Sequence, residues 1–199
     1  QLGGDIDGEK AYDQSGFSVS LSADGTRVAI GATGNDGAGS DSGHVRVYEI
    51  EGDTWKQLGG DIDGEAADDW SGHSLSLNAD GTRVAIGAPY NDGIAGEDSG
   101  HVRVYDSWKQ LGGDIDGEEE EDHSGYSVSL SANGTRVAIG ALYNDGAGSG
   151  SGHVRVYQIE GDSWNQLGGD IDGEKAGDLS GPGWPSVQQA TMTQASTAD

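Results

Sequence analysis

One nine-residue phrase, Gln-Leu-Gly-Gly-Asp-Ile-Asp-Gly-Glu, begins at Gln1, Gln57, Gln110 and Gln166, so the chain repeats with spacings of 56, 53 and 56 residues. A fixed period in this range means that one supersecondary unit is copied and that neighbouring copies bury each other's faces. The shorter middle spacing has a local cause. Tyr105 is followed by Asp106-Ser107-Trp108, where the other copies insert Ile-Glu-Gly-Asp before their tryptophan.

Within the first copy, residues 17–22 read as a strand, Asp24-Gly25 as a tight turn, and residues 27–31 as a second strand. An Asp-Gly step between two such runs signals a hairpin. After the loop at residues 35–43, His44-Val45-Arg46-Val47-Tyr48 supplies a third strand and Trp55-Lys56-Gln57-Leu58 a short fourth. No segment holds a helical period, and β-branched and aromatic residues fall in short runs between Gly, Asp, Asn and Ser. The expectation is an all-β chain: a β-propeller made of four-stranded antiparallel blades, about three full blades plus partial flanking repeats, in an incomplete or assembled ring. Residues 1–14 read as the last strand of a preceding blade and its connection. Residues 15–70, 71–123 and 124–181 read as the three blades, and residues 182–199 as an atypical cap or tail. Small Ala29 and Gly31, interleaved with Val28 and Ile30, would let adjacent blades approach.

The charge is as patterned as the strands. Thirty-five acidic against 10 basic residues give a formal net charge of −25, which disfavours nucleic acid and anionic membranes as partners and favours cations or basic proteins. Without cysteine, disulfides and thiolate metal sites are excluded. No apolar run approaches the length of a membrane span, so no direct membrane insertion is expected.

The stretch Ser15-Gly16-Phe17-Ser18-Val19 through Val28-Ala29-Ile30-Gly31-Ala32, recurring from Ser71 and Ser124, resembles the FG-GAP repeat of integrin α-chain propellers and of bacterial and algal surface proteins. The second copy reads Gly87-Ala88-Pro89. The pattern departs from the family at Ser15, Ser71 and Ser124, where the family's phenylalanine would stand, and at Thr33 and Leu142, where its proline would stand. The resemblance implies a propeller used in adhesion. In the integrin version, calcium sits in an acidic loop between the first two strands. Here that connection is expected to be only Asp24-Gly25, Asp80-Gly81 or Asn133-Gly134, too short to wrap an ion that takes six to eight oxygens.

Carboxylates recur at Asp5, Asp7, Glu9 and Asp13, at Asp61, Asp63, Glu65 and Asp69, and at Asp114, Asp116, Glu118 and Asp122, all assigned to inter-blade connections. Asp36, Asp92 and Asp145 come from the second-to-third strand loop of each copy, expected on the same rim. Hard oxygen ligands at alternate positions around a glycine suit Ca²⁺, the one cofactor this pattern admits. The architectural alternative is that these groups cap turns, accept backbone N–H bonds or pair with arginines.

Other recurring residues read as architecture. Arg27, Arg83 and Arg136, with Arg46, Arg103 and Arg155, occupy equivalent strand positions and suit ion pairing between blades. Trp55, Trp108 and Trp164 are expected to start each fourth strand and seal a seam. His44, His101 and His153 each follow Ser-Gly and precede Val-Arg-Val-Tyr, and for them a hydrogen-bonded or exposed structural role is expected. Asn133-Gly134-Thr135 is a glycosylation sequon at a hairpin tip.

The functional expectation is a non-enzymatic binding or adhesion module that engages a protein, a glycan or Ca²⁺ through its acidic rim. An extracellular or cell-surface location is expected, with an organelle lumen as the alternative. The competing reading is a building block that self-assembles through blade edges into a ring or fibre, and a propeller hydrolase comes third.

Overall fold

The computed structural model describes residues 1–177, and the expected cap or tail at residues 182–199 lies outside them. Three antiparallel sheets follow one another along the chain. The first contains β1 (Ser18–Leu21), β2 (Arg27–Ala32), β3 (His44–Glu51), β4 (Thr54–Gln57) and β5 (Ile62–Asp63). The second contains β6 (Ser74–Leu77), β7 (Arg83–Ala88), β8 (His101–Asp106), β9 (Lys109–Gln110) and β10 (Ile115–Asp116). The third contains β11 (Ser124–Leu130), β12 (Arg136–Ala141), β13 (His153–Glu160), β14 (Ser163–Gln166) and β15 (Ile171–Asp172).

Each sheet is four strands wide because its last two pieces are one interrupted outer strand. Tyr48 faces Gln57 and Val45 faces Ile62, so three steps along β3 (48−45) are matched by five along the outer strand (62−57). The two extra residues bulge at Gly59, which has a φ of 72°, and Gly60. This corrects the sequence reading. Ile62-Asp63 is not part of a connection between blades but the resumed outer strand, re-paired after the bulge, and the same holds at β10 and β15.

The β1–β2 connection also differs from the expected two-residue turn, since it spans residues 22–26. Asp24 Oδ1 accepts hydrogen bonds from the Ser22 hydroxyl, the Thr26 N–H and the Thr26 hydroxyl, and Gly25 takes a φ of 70°. Asp80 does the same for Thr82, and Asn133 for Ser131 and Thr135. These bonds draw the loop into a compact Asx turn and leave no oxygen cage around an ion.

Neighbouring sheets stack face to face. Ala29, Val45, Val47 and Ile62 of the first pack against Leu77, Val84, Ile86 and Tyr105 of the second. Ala85, Val102, Val104 and Ile115 repeat the arrangement against Leu130, Val137, Ile139 and Tyr157 of the third. The glycine of each Val-Ala-Ile-Gly-Ala strand is required by this stacking. A Cβ on Gly31 would fall on the carbonyl oxygen of Gly72, and one on Gly87 on that of Gly125. Inner strands are also tied directly, with Leu77 N–H donating to Ser20 Oγ at 3.0 Å and Leu130 N–H to Ser76 Oγ at 3.0 Å. The result is an open array of propeller blades.

Candidate functional site

Most expected ion ligands are engaged in the architecture. Asp13, Asp69 and Asp122 are buried, and each accepts an amide from Asn35, Asn91 or Asn144 at 3.0–3.2 Å as well as backbone N–H bonds from its own turn. Asp36, Asp92 and Asp145 cap their own loops, accepting from the N–H of Asp41, Asp98 and Gly150. Asp63 and Asp116 lie in the outer strands, while Asp7 lends its carbonyl to the Arg46 guanidinium. Burial first, then the charge of Asp114, pushes the Asp116 carboxyl up. Asp5, Asp61 and Asp114 each accept from the glutamine four residues earlier at 2.6–2.7 Å, a bond that closes the bulge. No cage of six or more carboxylate oxygens forms among the described residues.

Five of the expected ligands, Glu9, Asp61, Glu65, Asp114 and Glu118, instead meet histidines, with Asp170 completing the last group. Glu9, His44 and Asp61 converge, as do Glu65, His101 and Asp114, and Glu118, His153 and Asp170, with candidate ligand atoms within 4.8 Å of one another. Glu65 and Glu118 follow β5 and β10, with Glu9 at the equivalent position, while the histidine opens β3, β8 or β13 and the aspartate immediately precedes β5, β10 or β15. His44, His101 and His153 are buried, which removes the exposed alternative expected of them, and His101 Nε2 has no hydrogen-bond partner. Burial pushes all three imidazoles down, aided by the adjacent arginine and opposed by the carboxylates, and takes His101 to about 4. The ring is therefore neutral at pH 7, and the 3.8 Å approach of Glu65 Oε2 to His101 Nδ1 is not an ion pair.

Beside each histidine lies an arginine. Arg103 Nη2 donates to the Asp63 carbonyl at 2.8 Å, Nη1 lies 3.4 Å from Glu65 Oε1, and the guanidinium stacks over Tyr105. Arg46 and Arg155 repeat the approach to Glu9 and Glu118 and the stacking on Tyr48 and Tyr157. At the hairpin end, Arg27 pairs with Glu49 and Arg83 with Asp106, whereas Arg136 meets the amide of Gln158. Trp55 and Trp164 lie within β4 and β14, and their indole N–H groups donate to the Leu2 and Leu111 carbonyls of the preceding outer segment. Trp108 instead precedes β9 with a φ of 69°, a consequence of the shortened hairpin. Asn133 stands exposed in its turn.

Where the copies diverge, aromatic residues collect on the rim. Phe17 stacks on His73 and His73 on Tyr126, at centroid distances of 5.1 and 4.5 Å. A second row runs Trp70, Tyr90, His123 and Tyr143 at 4.8–4.9 Å. The sequence signal is that the equivalent positions 14, 70 and 123 carry Gln, Trp and His, and positions 34, 90 and 143 carry Gly, Tyr and Tyr.

Residues 115–157, which run from the resumed outer strand of the second blade through the body of the third, match the FG-GAP repeat family. That segment is similar to an FG-GAP repeat. A comparison with curated protein sequences finds no match. Among solved structures, the chain is similar to Saccharomyces cerevisiae Sqt1 (TM-score 0.53, 16% identity), covering 83% of this chain and 38% of that one. It is also similar to a putative 6-phosphogluconolactonase from Bacteroides fragilis (0.52, 10%, covering 79% and 39%). A third likeness is to Kuenenia stuttgartiensis hydrazine synthase (0.51, 12%, covering 86% and 42%). At such identities the likeness is one of fold, and the chain spans about two-fifths of the length of these proteins.

Proposed function

We propose that this FG-GAP array is a non-enzymatic binding module, acting outside the cell or at its surface, that holds a protein or glycan ligand on its acidic rim. The observation that carries this reading is the paired aromatic rows. Recurring polar residues are spent on turns and seams, so ligand recognition falls to positions where the blades differ. Those positions place Trp70, Tyr90, His123 and Tyr143 in one continuous strip beside the acidic loops. Trp and Tyr combine a large apolar face with a polar edge, which suits sugar rings and the stems of basic side chains.

The test is binding of the chain to a glycan array and to a panel of basic peptides, compared with W70A/Y143A. Both side chains are partly exposed, so the variant should keep the wild-type circular dichroism. Its affinity for the selected ligand should fall by about tenfold or more. Unchanged binding, or chemical turnover of the ligand, would count against this function.

A second reading, self-assembly, is favoured by the two end faces. Leu21 of the first blade is 61% exposed, while the equivalent Leu77 and Leu130 are 7% and 8% exposed. Ile171 of the last blade is 41% exposed, against 6% and 5% for Ile62 and Ile115. The two faces are complementary in the way the internal seams are, so one copy can stack on another head to tail.

A further inference from the structure

Each blade seam presents one imidazole and two carboxylates drawn from two different blades. We propose that the three seams, Glu9/His44/Asp61, Glu65/His101/Asp114 and Glu118/His153/Asp170, bind divalent transition-metal ions of the zinc type, one ion per seam.

The ligand chemistry separates these seams from ordinary acidic surface. Calcium and magnesium take oxygen donors, whereas a mixed set of one imidazole nitrogen and two carboxylate oxygens suits Zn²⁺ with water as the fourth ligand. The histidine is the second observation. His101 is 1% exposed, its Nδ1 lies 3.8 Å from Glu65 Oε2, and its Nε2 has no partner. A buried imidazole nitrogen without a partner is a cost that the central seam leaves unreturned unless something binds there, and the two outer seams repeat its ligand set.

The carboxylates are held in a manner that suits metal ligands. One oxygen of Glu65 faces Arg103 while the other faces the imidazole. Gln110 and Gln166 donate to Oδ1 of Asp114 and Asp170, as Gln57 does to Asp61. Such outer partners orient first ligands around a metal. Two carboxylates against one guanidinium also leave each seam one negative charge in excess. Zinc bonds of about 2.0–2.2 Å set ligand atoms roughly 3.3–3.5 Å apart, so the cluster must tighten. Glu9, Glu65 and Glu118 have side chains 40–45% exposed and are free to swing in.

Calorimetric titration of the chelator-treated full chain with ZnCl2 tests this, with CaCl2 in parallel. The expected result is three zinc ions per chain, a raised melting temperature, and no displacement by equimolar calcium. E65Q should leave two ions, and E9Q/E65Q/E118Q should weaken all three sites by about tenfold or more. D36N/D92N/D145N removes the same number of rim charges away from the seams and should still bind three. Binding that is unchanged in the triple glutamine variant, lost equally in the asparagine control, or displaced by calcium would overturn the proposal. The glutamates are surface groups, so their variants remain folded and informative.

Discussion

Asp24 shows how much one exposed carboxylate does for a hairpin. The Thr26 N–H, then the Ser22 and Thr26 hydroxyls, hold its carboxyl down to about 2 from an ordinary 3.8, and Asp80 is lowered likewise, by Thr82. Because the folded pKa lies below the unfolded one, the unfolded chain binds more protons on the acid side. The stabilisation is fully present above pH 3.8 and is lost as pH falls toward 2. The third blade makes the same turn with an amide, since Asn133 Oδ1 accepts the same three bonds. D24N/D80N should therefore fold normally at pH 7 and lose less melting temperature than wild type between pH 4 and about pH 2. An acid limb as steep as that of wild type would refute the assignment.

At the scale of the element, the strands were legible because glycine with aspartate or asparagine punctuates them in every copy, while the length of the hairpin turn, 22–26 rather than two residues, was not. The resumption of the outer strand at Ile62–Asp63 was not legible. Its bulge depends on a glycine pair and on the Gln57–Asp61 bond, and a run of acids with two glycines reads like a loop. The Glu/His/Asp seams were hidden for a related reason. Their members come from three separated segments, and only strand pairing aligns His44 with Asp63 and so brings Asp61 near. Burial then separates residues that the sequence shows as equals. L77A should cost about 2–5 kcal/mol in chemical denaturation, as expected for a buried leucine, whereas L21A of the free chain should stay within about 0.5 kcal/mol. Similar losses for both would mean that the first blade's open face is covered in solution.

For the whole molecule, the count of blades matters more than any single residue. Three blades fall short of the four to eight that close a propeller. Residues 1–9 already supply the first blade with part of a neighbour, because Leu2 and Asp7 take the places that Leu111 and Asp63 take around later blades. Two chains stacked head to tail would cover both open faces in one ring. Light scattering should then give a mass of about twice the 20.4 kDa chain, falling to that of one chain in L21D/I171D. A wild-type monomer at high micromolar concentration would remove the assembly reading and leave the binding rim as the module's role.

The close approach of Gly31 to Gly72, copied at Gly87 and Gly125, carries a lesson about growth by duplication. Since both sides of each joint are encoded within a single period, a newly inserted copy meets familiar neighbours fore and aft. Such a gene can lengthen or shorten by recombination in whole periods without any compensating change in the residues that hold it together.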